Sequence, residues 1–392
     1  MPANRPPQVP RDSRVLVFSQ RQVRRSAWHA TQYELEDTVL ELDDATLLAP
    51  GPPVHDEVET HRRRVVNGLR TRVGSTRRSP PWNVPSIRRT PVVTEHELFF
   101  AVFHHVDEAA HLHRLPGWRE RCRRAVCLIV EMWPPDVARD ADYVRLLADF
   151  DAVHLVYPGT AADLARAGVP VAGHLPTAVD MLRFSAVPRL PRRTIDVYSY
   201  GRRSEVVHRA LRESSRSGQL TYLYDTREGG SVPDPRDHRQ LLASVMQRSR
   251  FFLAHRINDS PERQAVTGGA EGISTRYFEG SAAGAVVLGS RVPTPEFDAC
   301  FDWEDAVVPL PYDAVDAVDQ LADLARQGDR LARIRADNTR NCLRRHDWLH
   351  RWEAVLASAG LAGTPQMQRR RAVLEELAGS ARPEAFLATE PS

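Results

Sequence analysis

Two carboxylates eight positions apart, Glu271 and Glu279, stand in the stretch EGISTRYFEGSAAGAVVLGS, which runs from Glu271 to Ser290. Gly272 follows the first at once, a run of small residues from Gly280 to Gly284 follows the second, and an apolar segment, Val286 to Leu288, comes next. This order predicts a loop, a short helix from Ser274 or Thr275 to a left-handed glycine cap at Gly284, and a buried strand. A helix start behind a glycine presents unpaired N–H groups and a positive dipole end, which suits a phosphate. Glu279, about a turn further in, is placed to accept hydrogen bonds from sugar hydroxyls. Glu271, in the loop, would meet whatever extends beyond the phosphates. The plainer reading is a surface helix with two solvated glutamates. Ser281, Ala282 and Ala283 argue against it, since they permit a close backbone approach that a surface helix does not need.

Histidines form the second group able to do chemistry: His104, His105, His111 and His113, with Asp107 among them. On an α-helix His104 and His111 would share a face, with Asp107 four positions before His111. Nothing else completes a ligand set, so no metal is expected there. The loop after a first strand lies at the carboxyl edge of a sheet, where ligands bind. Trp28 and His29 fall in such a loop and are candidates for an acceptor pocket, although a packed aromatic is the simpler description. Asp43-Asp44 resembles a metal-binding acidic pair but lacks the surrounding pattern.

Composition narrows the class. The chain of 392 residues suits two domains and is globular, with 42% hydrophobic and 27% charged residues. It has no apolar run of the ~20 residues a membrane span needs, and its polar, proline-rich start does not read as a signal peptide. A cytoplasmic location is therefore expected. The four cysteines, Cys122, Cys127, Cys300 and Cys342, show no metal or disulfide spacing. The net charge of +2 gives no drive toward nucleic acid. Lysine is absent and all 53 basic residues are arginine, so any phosphate must be met by guanidinium groups. His61 to Arg89 carries nine arginines and no acid. It reads as a solvated segment, with contact to an anionic membrane surface or a phosphorylated acceptor as the functional alternative.

The elements that must position these residues alternate. Strands are expected at 14–19, 98–103, 125–130, 152–157, 194–200, 220–224, 251–254, 286–288 and 306–310, separated by helices. That pattern predicts α/β domains with parallel sheets covered on both faces. Residues 1–13 read as disordered, 14–186 as a first domain, 192–360 as a second and 361–392 as a tail, disordered past Leu377. Pro188 and Pro191 mark the linker. The connection from Asn258 to Ala270 is unusually long, as functional loops often are.

The Glu271–Ser290 stretch resembles the donor-site signature of the retaining family 4 nucleotide-sugar glycosyltransferases of the GT-B fold. Two more phrases resemble that family in its own order. LPTAVDMLRF, Leu175 to Phe184, is similar to the phrase closing its first domain, with Ala178 in place of glycine. Gly201-Arg202-Arg203 after a strand is similar to its diphosphate-binding Gly-Arg, although the family's following lysine is absent and Arg203 or Arg209 would replace it. A finer resemblance is to the bacterial CgeB-like branch.

The resemblance implies two Rossmann-like domains facing each other across a cleft. It implies transfer of a sugar from a nucleotide diphosphate sugar to an unidentified acceptor, with retention and without a metal or other cofactor. Glu279 would bind the ribose, and Glu271 would face the transferred sugar. Gly201, Arg202, Arg203, Arg209, Gly272, Ile273, Ser274 and Thr275 would hold the diphosphate. His104 or His105 would approach the sugar from the first domain, with Glu131 next. A silent nucleotide-sugar-binding protein and another GT-B enzyme, such as a nucleotide-sugar epimerase, are the alternatives.

Overall fold

A computed structural model of the chain describes residues 12–53, 86–225 and 230–388. Most of the arginine-rich segment, residues 61–85, lies outside the described residues. The chain divides into two compact units, residues 1–175 with 355–362, and residues 176–354 with 363–392.

The first unit is built on a six-stranded sheet, ordered β2-β1-β3-β4-β5-β6. The strands are β1 (Val15–Phe18), β2 (Ala45–Leu48), β3 (His96–Phe103), β4 (Cys122–Ile129), β5 (Ala152–Leu155) and β6 (Val171–His174). Every neighbouring pair is parallel. A parallel strand covered on both faces needs a continuous apolar run. Val15-Leu16-Val17-Phe18 supplies one, with all four side chains fully buried. Phe18, Phe99, Phe103, Trp118 and Phe150 pack ring against ring beneath the sheet. Burying each such side chain contributes about 1.5–3 kcal/mol.

The second unit holds a five-stranded parallel sheet, ordered β11-β10-β9-β7-β8. Its strands are β7 (Ile195–Ser199), β8 (Tyr222–Tyr224), β9 (Ser249–Ala254), β10 (Val286–Gly289) and β11 (Val308–Pro309). In both sheets the first strand lies inside the order, with its two sequence successors on opposite sides. The loops after β1 and β3 therefore part company, as do those after β7 and β9. Such a switch point at the carboxyl ends of strands leaves a crevice for ligands.

Three expectations change. The loop expected to carry Trp28 and His29 is a 3-10 turn, Ala27–His29, that runs directly into a helix, Ala30–Leu42, burying Tyr33 while Trp28 stays exposed. The connection from Asn258 to Ala270 contains a helix, Pro261–Thr267, stopped by Gly268 at φ +62. The end of the chain is ordered through two helices, Pro365–Ser380 and Pro383–Leu387, because Phe386 is fully buried. Among the described residues no helix is long and apolar enough to cross a membrane.

Candidate functional site

In the second unit the helix Thr275–Ala282 begins at Ser274, whose side chain makes no capping bond. Gly284 follows with φ +65 and hands the chain to β10. The helix is buried from Arg276 to Ala282, as its small residues allow: a Cβ on Gly280 would lie 2.6 Å from the Phe252 ring on β9.

Arg276, in the first turn, ties this helix to both diverging loops. Its guanidinium donates to the Arg202 carbonyl at 2.8 Å, after β7, and to the His255 carbonyl at 3.3 Å, after β9. Gly201, at φ +68, turns the chain out of β7, and its N–H donates to Asp225 at 3.2 Å. Arg203 pairs with the same carboxylate at 2.8 Å, and its guanidinium lies over the Tyr224 ring. Ser204 caps the next helix, Glu205–Arg216, on which Arg209 is exposed.

Around the helix start several buried polar atoms have no protein partner: the Ser274 hydroxyl, both ring nitrogens of His255 and one oxygen of Glu271. A buried polar atom without a partner is unfavourable, so a group of them marks a place where a ligand or water completes the bonding. Burial, assisted by the Arg276 charge, pushes His255 down to about 4, so its imidazole is neutral near pH 7. Burial raises the Glu271 carboxyl, against the pull of Arg256, whose guanidinium lies 3.6 Å away.

Glu279 is placed differently from its neighbours. Its carboxylate is 1% exposed, and one oxygen accepts from Arg239 while the other accepts from Tyr200. Arg239 is itself buried, with its guanidinium 4.5 Å from the Phe184 ring. Both oxygens of Glu279 are thus occupied inside the protein, beneath the loop that carries Gly201 and Arg202. Tyr200, Arg239, His255 and Arg276 were missed in the sequence. Only Arg276, one turn before Glu279, carried a local signal.

The first unit gathers a second set at its own switch point. Glu108 is buried and accepts from the His104 backbone N–H at 2.7 Å and from Gln20 at 3.0 Å. His29 Nε2 and Arg24 lie 3.2 and 3.3 Å from it. Burial alone would raise this carboxyl; the His29 bond and the neighbouring cations bring it to about 2. The rings of His29 and His104 are 4.9 Å apart, and Trp28, 53% exposed, borders both. His104 Nε2 lies 3.7 Å from Glu131, and His105 packs edge-on against His104.

The five first-domain candidates, Trp28, His29, His104, His105 and Glu131, are therefore brought together. The set grouped by helical periodicity is not. Val106–Arg114 is a 3-10 helix, and His111 turns inward against Phe18, away from His104.

Residues 190–357, which carry the second sheet, match the family model described as Glycosyl transferase-like. No curated protein matches the chain in sequence. Among solved structures, the chain is similar to an alpha-glucosyltransferase in complex with UDP and a 13-mer DNA containing a HMU base, with TM-score 0.51 and 9% identity over 89% of this chain and 100% of the other. It is also similar to an E. coli trehalose-6-phosphate structure bound with UDP-2-fluoro glucose, with TM-score 0.50 and 12% identity over 90% and 100%. The fold is GT-B. The match to the Glycosyl transferase-like model covers less than half of the chain.

Proposed function

We propose that the chain transfers a sugar from a nucleotide diphosphate sugar to an acceptor. The observation that carries this reading is the set of partnerless buried polar atoms on Ser274, His255 and Glu271, around an uncapped helix start. A diphosphate at that start meets N–H groups, the helix dipole and the arginines of the neighbouring loop, Arg202 and Arg203, with Arg209 on the next helix. Gly201, Gly272, Ile273, Ser274 and Thr275 supply backbone close to it. These groups neutralise the leaving diphosphate without a metal ion. Glu271 faces the sugar, and Glu279 fixes the floor of the site through Tyr200 and Arg239.

Trp28, His29, His104, His105 and Glu131 form the acceptor-side set. The resemblance to family 4 favours retention. Two UDP-bound structures of the same fold favour a nucleotide sugar as donor. Mass spectrometry of the purified protein with a panel of nucleotide sugars tests the reading. Release of a nucleoside diphosphate from one of them supports it, and a panel left wholly intact while the protein binds one member favours a silent binder.

A further inference from the structure

We propose that His104, His105 and Glu131 bind one divalent transition-metal ion of the zinc class. The site lies in the first unit and shares its residues with the acceptor-side set proposed above, but its test reads metal binding and does not depend on turnover.

One ligand atom from each of the three side chains lies within 4.8 Å of the others, at the ends of β3 and β4. The Glu131 N–H donates to the His104 carbonyl at 2.7 Å, which locks the two strand ends in register. His104 Nε2 and Glu131 Oε2 are 3.7 Å apart, too far for a hydrogen bond. Donors around a tetrahedral zinc at about 2.0–2.1 Å stand roughly 3.3 Å from one another, so a small adjustment admits the ion. Two imidazoles and a carboxylate leave a fourth position for water or a ligand.

The surroundings are those of ligands held in place. Metal-binding histidines characteristically donate their second ring N–H to a carbonyl, and metal-binding carboxylates are hydrogen-bonded in turn. His105 Nδ1 lies 3.2 Å from the Glu131 carbonyl, a bond in which the ring must be the donor. That fixes the tautomer and turns the Nε2 lone pair outward. Glu131 Oε1 accepts from the Trp133 indole N–H at 2.9 Å, leaving Oε2 toward His104. Trp133 is held by stacking on Tyr157.

His104 is buried, and its Nδ1 has no partner in the protein. A cavity of about 180 Å³ lined by His105, Asp107, Glu131, Asp136, Arg139 and Tyr143 gives the ion a path of approach.

The test uses the full chain, stripped with a chelator and then titrated with Zn²⁺ in competition with a chromophoric chelator. Co²⁺ serves as a spectroscopic probe of the same site. The expected result is one tightly held ion per chain, with visible Co²⁺ bands of a four- or five-coordinate site. His105→Ala and Glu131→Gln should each weaken binding by more than about tenfold. Trp133→Phe, which removes only the bond orienting Glu131, should cost about tenfold. His113→Ala, on an exposed neighbouring histidine, should change nothing.

His105 is exposed, so its alanine variant should melt like the wild type without metal, and loss of binding cannot then be ascribed to unfolding. No tightly held equivalent, or one that survives unchanged in His105→Ala combined with Glu131→Gln, overturns the proposal.

Discussion

Arg239 and Glu279 form an ion pair closed to solvent, completed by the Tyr200 hydroxyl. Two charges taken out of water are tolerable only together, and removing one leaves the other buried and uncompensated. Glu279→Ala should therefore destabilise the protein by about 3–5 kcal/mol, whatever it does to nucleotide binding. Joint replacement by Glu279→Leu and Arg239→Met should recover much of that loss. Thermal unfolding of the two variants checks it. A single variant as stable as wild type would show the pair to be open to water.

Nucleotide binding should be visible without turnover. A nucleoside diphosphate at a hundredfold excess over its dissociation constant stabilises the native state by about 2.7 kcal/mol. For a unit of this size that raises the melting temperature by roughly 5–10 °C. Arg276→Ala should reduce the shift, because it releases the Arg202 and His255 carbonyls together. An unchanged melting temperature with every nucleotide would remove the second unit from consideration as a donor site.

Glu271 should separate binding from chemistry. Its carboxylate reaches Arg256 and not the arginines of the Gly201 loop, so Glu271→Gln should leave the thermal shift with the bare diphosphate nearly intact. Breakdown of the intact donor should fall by at least about a hundredfold, the scale of losing one group that stabilises developing charge. A variant that consumes donor at the wild-type rate would exclude Glu271 from the reaction.

Acid should weaken the second unit in a definite window. His255 titrates at about 4 in the folded chain, against an ordinary value near 6.5. Between those values the unfolded chain binds the proton and the folded chain does not, so stability falls as pH drops from 6.5 toward 4. The contribution is on the order of 3 kcal/mol across the window. His255→Asn should flatten this part of the stability profile measured by denaturant unfolding. Equal slopes for the variant and the wild type would count against a buried, neutral His255.

Gly284 should tolerate no side chain. Its φ is +65, and a Cβ there would lie 2.8 Å from the Thr339 hydroxyl and 3.1 Å from Arg193 and Phe386. Left-handed strain and overpacking together predict a loss of about 2–4 kcal/mol for Gly284→Ala. A melting temperature within a degree of wild type would contradict it.

What could be read beforehand was what depends on near neighbours. The helix at Thr275 and its closure at Gly284 follow from a small-residue run and a glycine, both local. Strands β1, β3, β4, β7 and β9 follow from apolar runs with no competing periodicity. The histidine cluster was legible as residue types but not as a site. His29 and Glu108 are 79 positions apart, and meet only because β1 and β3 are neighbours in the sheet.

The pairing of Glu279 with Arg239 depends on the helix Pro235–Gln247 lying beside the helix Thr275–Ala282, which no spacing reports. The last residues read as a tail, disordered past Leu377, and polar sequence alone gives no sign that they pack. Arg370 is nonetheless buried, held by Asp347 and Asp180 at 2.7 and 2.6 Å. Charge alone does not tell a solvated guanidinium from one with two waiting carboxylates.

The first unit is completed by residues that arrive late. Arg14 donates to the Ala362 carbonyl at 2.6 Å, and His154 bonds Ser358 at 3.0 Å, yet residues 176–354 belong to the other unit. On the ribosome, the six strands of the first sheet are therefore all available long before the segment 355–362 that closes over them. Until it emerges, the nascent first unit must persist with those two bonds unmade and the apolar side chains of Val355 and Leu356 still to come. The order of synthesis leaves this unit an open interval in which chaperones have access to it, and a fragment ending at residue 175 would remain in that interval permanently.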